Sequence, residues 1–316
     1  MAEAVYAEIP WFSSAFLSPR RRTFSINSLS VFMFPTRTNN DVEGWHDRLQ
    51  DASEFGFHVA DYVIFAGMIS FSIGIGVYSA CSGGGQKTTL EYLVGNRRLR
   101  MLPVAISLVV SFQSSILVLG YPAEVYIYGG DLLWESVGLM IAMLVSARVV
   151  APLFHPLKLT SVFEGGLKAV VWTDVLQCLI MTIGMIAVII KATFDVGDFR
   201  KVLRINYDNL RINYLNFDPD PTVRHTFWSL CVGSSIGLFG MSFNQATVQR
   251  ISSVKTLSEA KKILYFAGPA FFVLGAIVNI EGMVTFAYFN VVGCDPMEAG
   301  IISNANQVGL LEFSVV

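Results

Sequence analysis

The sequence predicts an all-α fold, a polytopic transmembrane helical bundle of about six spans. Hydrophobic residues make up 53% of the 316 positions, charged residues 15%, and mean hydropathy is +0.54; soluble domains carry about 25% charged residues. Apolar runs close to the ~20 residues that cross a bilayer recur along the chain, and basic residues gather in alternate connections between them. The same composition excludes other classes. A net charge of -2 speaks against nucleic acid as a partner. Cys81, Cys178, Cys231 and Cys294 are far apart, two of them inside apolar segments, so neither a disulfide framework nor a zinc site is expected.

The apolar runs fall at residues 62–80, 103–121, 132–152, 169–190, 226–246 and 263–289, the last long enough to tilt. Lys87, Arg97, Arg98 and Arg100 follow the first run, Arg148 at the end of the third is followed by Lys158 and Lys168, and Arg250, Lys255, Lys261 and Lys262 follow the fifth. The connection after the second run carries Glu124 and Asp131 and no Lys or Arg. Under the positive-inside rule the basic connections are cytoplasmic and the N-terminus is extracellular. The connection 191–225 is mixed in charge and too long to report on sidedness. In residues 1–60, Arg20, Arg21 and Arg22 precede a weak apolar patch broken by Asn27 and Pro35, with no apolar core and cleavage site of a signal peptide. That segment is expected to be an extracellular, mostly disordered tail.

Two runs are unusual for the polar residues they contain. ISLVVSFQSSILVLGYP, from Ile106 to Pro122, is threaded with Ser107, Ser111, Gln113, Ser114 and Ser115. Positions 107, 111 and 114 or 115 share one helical face, and lipid offers hydroxyls no partner, so this face should meet other helices, a water-filled cavity or an ion. In HTFWSLCVGSSIGLFGMSFNQATVQR, from His225, the residues Ser229, Gly233, Gly237, Gly240, Asn244 and Thr247 again step along one face. Small residues at this spacing also let membrane helices approach closely. A Gly/Ser-interrupted span in each half of a chain is the pointer to a midplane binding site in secondary transporters.

Several passages resemble the sodium:solute symporter family, in particular its animal branch of sodium-coupled monocarboxylate and sodium-dependent multivitamin transporters. They are DYVIFAGMISFSIGIGVY from Asp61, EYLVGNRRLRMLPVAISLVVSF from Glu91, LGYPAEVYIYG from Leu119, GGLKAVVWTDVLQ from Gly165, NQATVQRISSVKTLSEAKK from Asn244 and CDPMEAG from Cys294, in family order. The resemblance implies a LeuT-type fold of inverted repeats, here incomplete. Residues 61–164 correspond to the start of repeat one, 165–307 to its end and the start of repeat two, and 308–316 to a divergent tail. It implies Na⁺ as coupling ion, held at the broken helix of repeat one by carbonyls that map, through the anchor Gly120 to Pro122, onto Val110 and Gln113, with Ser111 and Ser114 beside them. The fifth run corresponds to the broken first helix of repeat two, which makes Ser234, Ser235, Gly237 and Asn244 the substrate-side candidates. Substrates in the branch are small carboxylates such as lactate, pyruvate, nicotinate, biotin or pantothenate, carried across the plasma membrane.

Two departures from the family pattern stand out. Glu164 joins Gly165 directly where the family has two more spans, and after Gln307 the chain reads VGLLEFSVV in place of the helix that supplies hydroxyl ligands to sodium. This form is therefore expected to be truncated, with an incomplete ion site and no transport of its own. The alternative is a non-transporting membrane isoform that binds and modulates a full-length paralogue.

Other motifs fail on context. Gly233 to Gly237 fits the G-x-S-x-G of a hydrolase elbow, which needs a strand, a turn and a helix. SGGGQKTT near Lys87 has no G-K-[ST] triplet. With no metal, nucleophile or general-base cluster, no enzyme is expected. Asp174, beside Trp172, reads as an interfacial anchor. Glu281 either pairs within the bundle or lies near the surface of a tilted helix.

Overall fold

The computed structural model describes residues 59–81, 97–112, 115–157, 167–212 and 223–293, with scattered positions between and beyond them. The tail ahead of Val59, the junction of Glu164 with Gly165 and residues 309–316 lie outside the described residues. The regular structure described is helical: α1 (Val59–Cys81), α2 (Met101–Phe112), α3 (Ser115–Tyr128), α4 (Leu133–Phe154), α5 (Leu167–Val196), α6 (Phe199–Asp208), α7 (Ser234–Met241), α8 (Gln245–Ser252) and α9 (Leu257–Val292).

A helix satisfies every backbone amide within its own segment, which is what an apolar sequence in lipid requires. The segments Gly130–Leu157, Leu167–Val196 and Leu257–Val292 are long and apolar enough to cross a membrane, and Tyr62–Tyr78, Met101–Phe112 and Trp228–Met241 are shorter apolar helices. The long segments lie over the third, fourth and sixth runs and Tyr62–Tyr78 over the first, while the second run, 103–121, is divided between α2 and α3. The fifth is more broken than its composition suggests. It opens with a π-helical turn, Trp228–Gly233, continues as α7, and stops at Met241. Asn244, in extended conformation, then caps the separate helix α8 by accepting from Thr247 N–H at 2.9 Å. Helix α9, 36 residues long, measures about 54 Å at 1.5 Å per residue. A capping box of Thr256 and Glu259 starts it, and left-handed Gly293 (φ 76°) ends it.

Helix α9 is the axis of the bundle and packs against α4, α3, α5 and α2; α2 also lies on α5, α7 lies on α4, and α1 lies on α5. The core is aliphatic, with Val104, Leu108, Met143, Ala147, Ile263, Leu264 and Ala267 all buried in one cluster. Close approach is needed on the axis. A Cβ at Gly275 would sit 1.9 Å from Ser136 Oγ, and one at Gly282 would sit 2.6 Å from Val125 Cβ and 2.7 Å from the Pro122 carbonyl oxygen. Only glycine admits the neighbouring backbone there.

Polar bonds close both ends of this bundle. At one end Leu99 N–H donates to Ser253 O at 3.3 Å, and His155 Nε2 lies 3.3 Å from Val254 O. At the other, Arg211 donates to the carbonyls of Val125 and Tyr126 and lies over the Phe286 ring, 3.6 Å from its centroid. Burial there pushes the Arg211 guanidinium down to about 10. Glu124 pairs with Arg224 and, at 3.2 Å, with His225 Nε2.

Gly282→Ala should lower the thermal unfolding midpoint in detergent by the equivalent of about 1–3 kcal/mol of overpacking, because the Pro122 backbone cannot step aside. Gly184→Ala on α5, where a Cβ meets nothing within 4 Å, should leave the midpoint unchanged or raise it slightly.

Candidate functional site

The polar stripe of α2 leads into a deeply buried ion pair. Ser107 Oγ donates to Asp174 Oδ2 on α5 at 2.5 Å and accepts from Arg250 Nε on α8 at 2.9 Å. Arg250 Nη2 donates to the same Asp174 oxygen at 3.2 Å, and Nη1 donates to Ala246 O at 3.2 Å. Ser107 is fully buried, and the side chains of Arg250 and Asp174 are 4% and 13% exposed.

Each charge alone would cost several kcal/mol to take out of water; paired and hydrogen-bonded, they are tolerated. The cap at Asn244 sets the direction of α8 and so delivers Arg250 to the gap between α2 and α5. Three helices remote in sequence are thereby joined at one end of the bundle.

The sequence reading of Asp174 as an interfacial anchor describes Trp172 better: that residue is 48% exposed, while the Asp174 carboxylate turns inward. Ser107 was visible on the predicted stripe. Arg250 carried no local sign of its role, since it was one of several basic residues after the fifth run and its acidic partner is 76 positions away.

Of the expected ion-site residues, Val110 is buried three positions beyond Ser107, and Ser111 is exposed with its hydroxyl donating to Ser107 O at 2.8 Å. Gln113 and Ser114 lie outside the described residues, between α2 and α3. Of the substrate-side candidates, Ser234 and Ser235 are half-buried at the start of α7. Ser235 Oγ donates to Cys231 O at 2.7 Å, within its own helix, and lies 3.1 Å from Gly138 O on α4. Gly237 is exposed, and a Cβ there would meet nothing within 4 Å; the same holds at Gly240. The Asn244 side chain is committed to the cap of α8.

Helix α7 therefore has two contrasting sides. Cys231, Ser235 and Ser242 face α4, where the hydroxyls of Ser242 and Ser146 meet at 2.9 Å and a Cβ on Gly138 would come within 2.4 Å of Cys231 O. Gly237 and Gly240 look away from every described element. The two predicted groups lie in different helix pairings, α2 with α5, α8 and α9, and α7 with α4.

The profile of the Sodium:solute symporter family matches residues 92–162 and 157–311. The chain belongs to the sodium:solute symporter family. It is 33% identical over 80% of its length to the sodium-coupled monocarboxylate transporter 1 of Xenopus laevis, covering 50% of that protein. It is 31% identical over 79% of its length to the human sodium/iodide cotransporter, covering 48% of it, and 32% identical over 74% to the sodium-dependent multivitamin transporter of Oryctolagus cuniculus, covering 46% of it. The chain thus spans about half the length of these relatives. Among solved structures it is similar to a Na⁺-coupled sialic acid symporter in a substrate-bound, outward-open state, with a TM-score of 0.65 and 16% identity over 83% of this chain and 67% of that one. That likeness is one of fold, and it agrees with the LeuT-type architecture expected for the family. The family is one of multi-pass membrane symporters and not of enzymes.

Replacing one partner of the Ser107, Asp174, Arg250 cluster should be worse than replacing both. Asp174→Ala and Arg250→Ala should each cost about 3–5 kcal/mol by leaving a buried charge unanswered. The double variant should recover part of that loss in a double-mutant cycle on unfolding midpoints.

Proposed function

We propose that these residues form part of a Na⁺-driven symporter for small organic carboxylates in the plasma membrane, with the N-terminus extracellular. The family match across residues 92–311 carries this reading. The relatives named for monocarboxylates and vitamins support the substrate class. Na⁺ is the coupling ion in this proposal, received at the carbonyls of Val110 and Gln113 with Ser111 and Ser114 beside them. The open side of α7 at Gly237 and Gly240 faces the solute, with Ser234 at its start. Residues 61–164 then serve as the start of repeat one, and 165–307 as its end and the start of repeat two.

The energetics favour such a division of labour. Each Na⁺ entering down the membrane potential releases about 2.3 kcal/mol per 100 mV, and coupling requires that the loaded carrier reorient more readily than the partly loaded one. A cation shedding its water needs oxygen ligands in return, and the residues of α2 supply only part of that shell. The bare glycine side of α7 likewise supports a site completed by further helices. The ion pair of Asp174 with Arg250 would hold α2, α5 and α8 together at the end from which the basic residues 255–262 emerge, so that one closed arrangement is favoured until the carrier is loaded.

The assay follows from the length of the chain. Expressed together with the second half of the Xenopus laevis monocarboxylate transporter as a separate polypeptide, it should give uptake of labelled nicotinate or pyruvate in sodium medium that falls to the vector level in choline medium. Equal uptake in both media would contradict Na⁺ coupling.

A further inference from the structure

Helix α6 divides its surface among three environments, and protein and water account for only two of them. Val202 and Asn206 are buried, and the helix packs on α5 and α9, with Asn206 Nδ2 donating to Met283 O at 2.9 Å. Arg200, Lys201, Arg204 and Asp208 form a charged arc. Arg204 lies 3.7 Å from Asp208, and Lys201 Nζ donates to Val196 O at 2.9 Å, closing the end of α5. The third arc is apolar and bare: Phe199 is 41% exposed, Leu203 38%, Tyr207 69%, and Leu210, just past the helix end, 87%. At 3.6 residues per turn Phe199, Leu203 and Tyr207 fall on one side, between the buried arc and the charged one, and Leu210 follows the helix with a left-handed backbone (φ 56°).

Two observations identify what covers the bare arc. First, α6 begins three positions after α5 ends and packs on it, shortly after Ile183, Ile190 and Phe194, which are exposed along α5 as on a lipid-facing helix. Lys191 pairs with Asp195 at 2.7 Å on that last stretch, which marks the level where α5 leaves hydrocarbon for headgroups. Second, the charged arc carries three cations and one anion, the complement of lipid phosphates, and Tyr207 is a residue type enriched where bilayer meets water.

We propose that α6 lies in the plane of the membrane at the headgroup boundary, in the leaflet opposite the basic segment Arg250–Lys262. Phe199, Leu203 and Tyr207 insert among acyl chains, and Arg200 and Arg204 meet phosphates. The helix acts as a float that fixes the depth of the corner between α5 and α6. It is independent of the symport reading, since it needs only the bilayer.

The test places single spin labels at Leu203→Cys, Tyr207→Cys and Arg204→Cys in the full chain with its native cysteines replaced, reconstituted in phosphatidylcholine and phosphatidylglycerol vesicles. Labels at 203 and 207 should be accessible to oxygen and shielded from a water-soluble nickel chelate, and the label at 204 should show the reverse. The proposal is overturned if 203 and 207 are as open to the chelate as 204, which means water. It is equally overturned if they are shielded from both reagents, which means a protein partner, whether a second copy or further helices. In the chain with its cysteines intact, Tyr207→Trp should add fluorescence that brominated lipids quench; unquenched added fluorescence would overturn it as well.

Discussion

Hydrocarbon gives a polar group no partner, so each hydroxyl, amide and charge that this chain carries into the bilayer has to be answered by another part of the protein. The architecture follows from how those answers are arranged. Ser107, Asp174 and Arg250 answer one another across α2, α5 and α8. Asn279 on α9 donates to the carbonyl of Gly130 at the start of α4, and Asn206 on α6 donates to Met283. Ser146 and Ser242 meet between α4 and the end of α7. Apolar packing around α9 sets how close the helices lie, but aliphatic side chains are as content in lipid as in a bundle. The polar pairs decide which helix faces which.

The two ends of the bundle are built differently. At the end marked by Arg250, one buried ion pair and its serine link helices that are far apart in sequence, and an ion pair of this kind is either made or broken. At the opposite end, Arg211 is tied to backbone carbonyls of α3 and stacked on Phe286, beside the more exposed pairing of Glu124 with Arg224 and His225. The glycine side of α7 faces none of the described helices.

Much of the fold was legible because bilayer length and charge alternation act on long stretches. The apolar runs at 132–152, 169–190 and 263–289 became α4, α5 and α9 with extended ends, since helices continue past hydrocarbon until a cap or glycine stops them, as Gly293 does. The fifth run was read as a Gly/Ser-interrupted span, but the places of its π turn at Trp228–Gly233 and its stop at Met241 leave composition unchanged. Helix α6 was hidden in the mixed-charge connection 191–225: its ten residues alternate apolar and charged sides at the helical period, but a reading keyed to apolar runs of bilayer length passes over a segment so short and so charged. For the site, the stripe through Ser107 was visible, but the partnership of Asp174 with Arg250 was not, because pairing across 76 positions has no local signature. Small residues on α7 serve packing and openness with the same spacing. Only the packing on α4 separates Ser235, which faces its neighbour, from Gly237, which does not.

The account rests on Asp174 and Arg250 being joined inside the membrane bundle and not each turned out to an interface. Solid-state NMR of the protein in lipid bilayers, with isotopically labelled arginine nitrogens and aspartate carboxyl carbons, measures that contact directly. Dipolar dephasing at hydrogen-bond range should be present, and a distinct share of it should vanish in Asp174→Asn, leaving a background to which the exposed Arg204 and Asp208 pair contributes. Dephasing unchanged by Asp174→Asn would mean that the buried pair does not form.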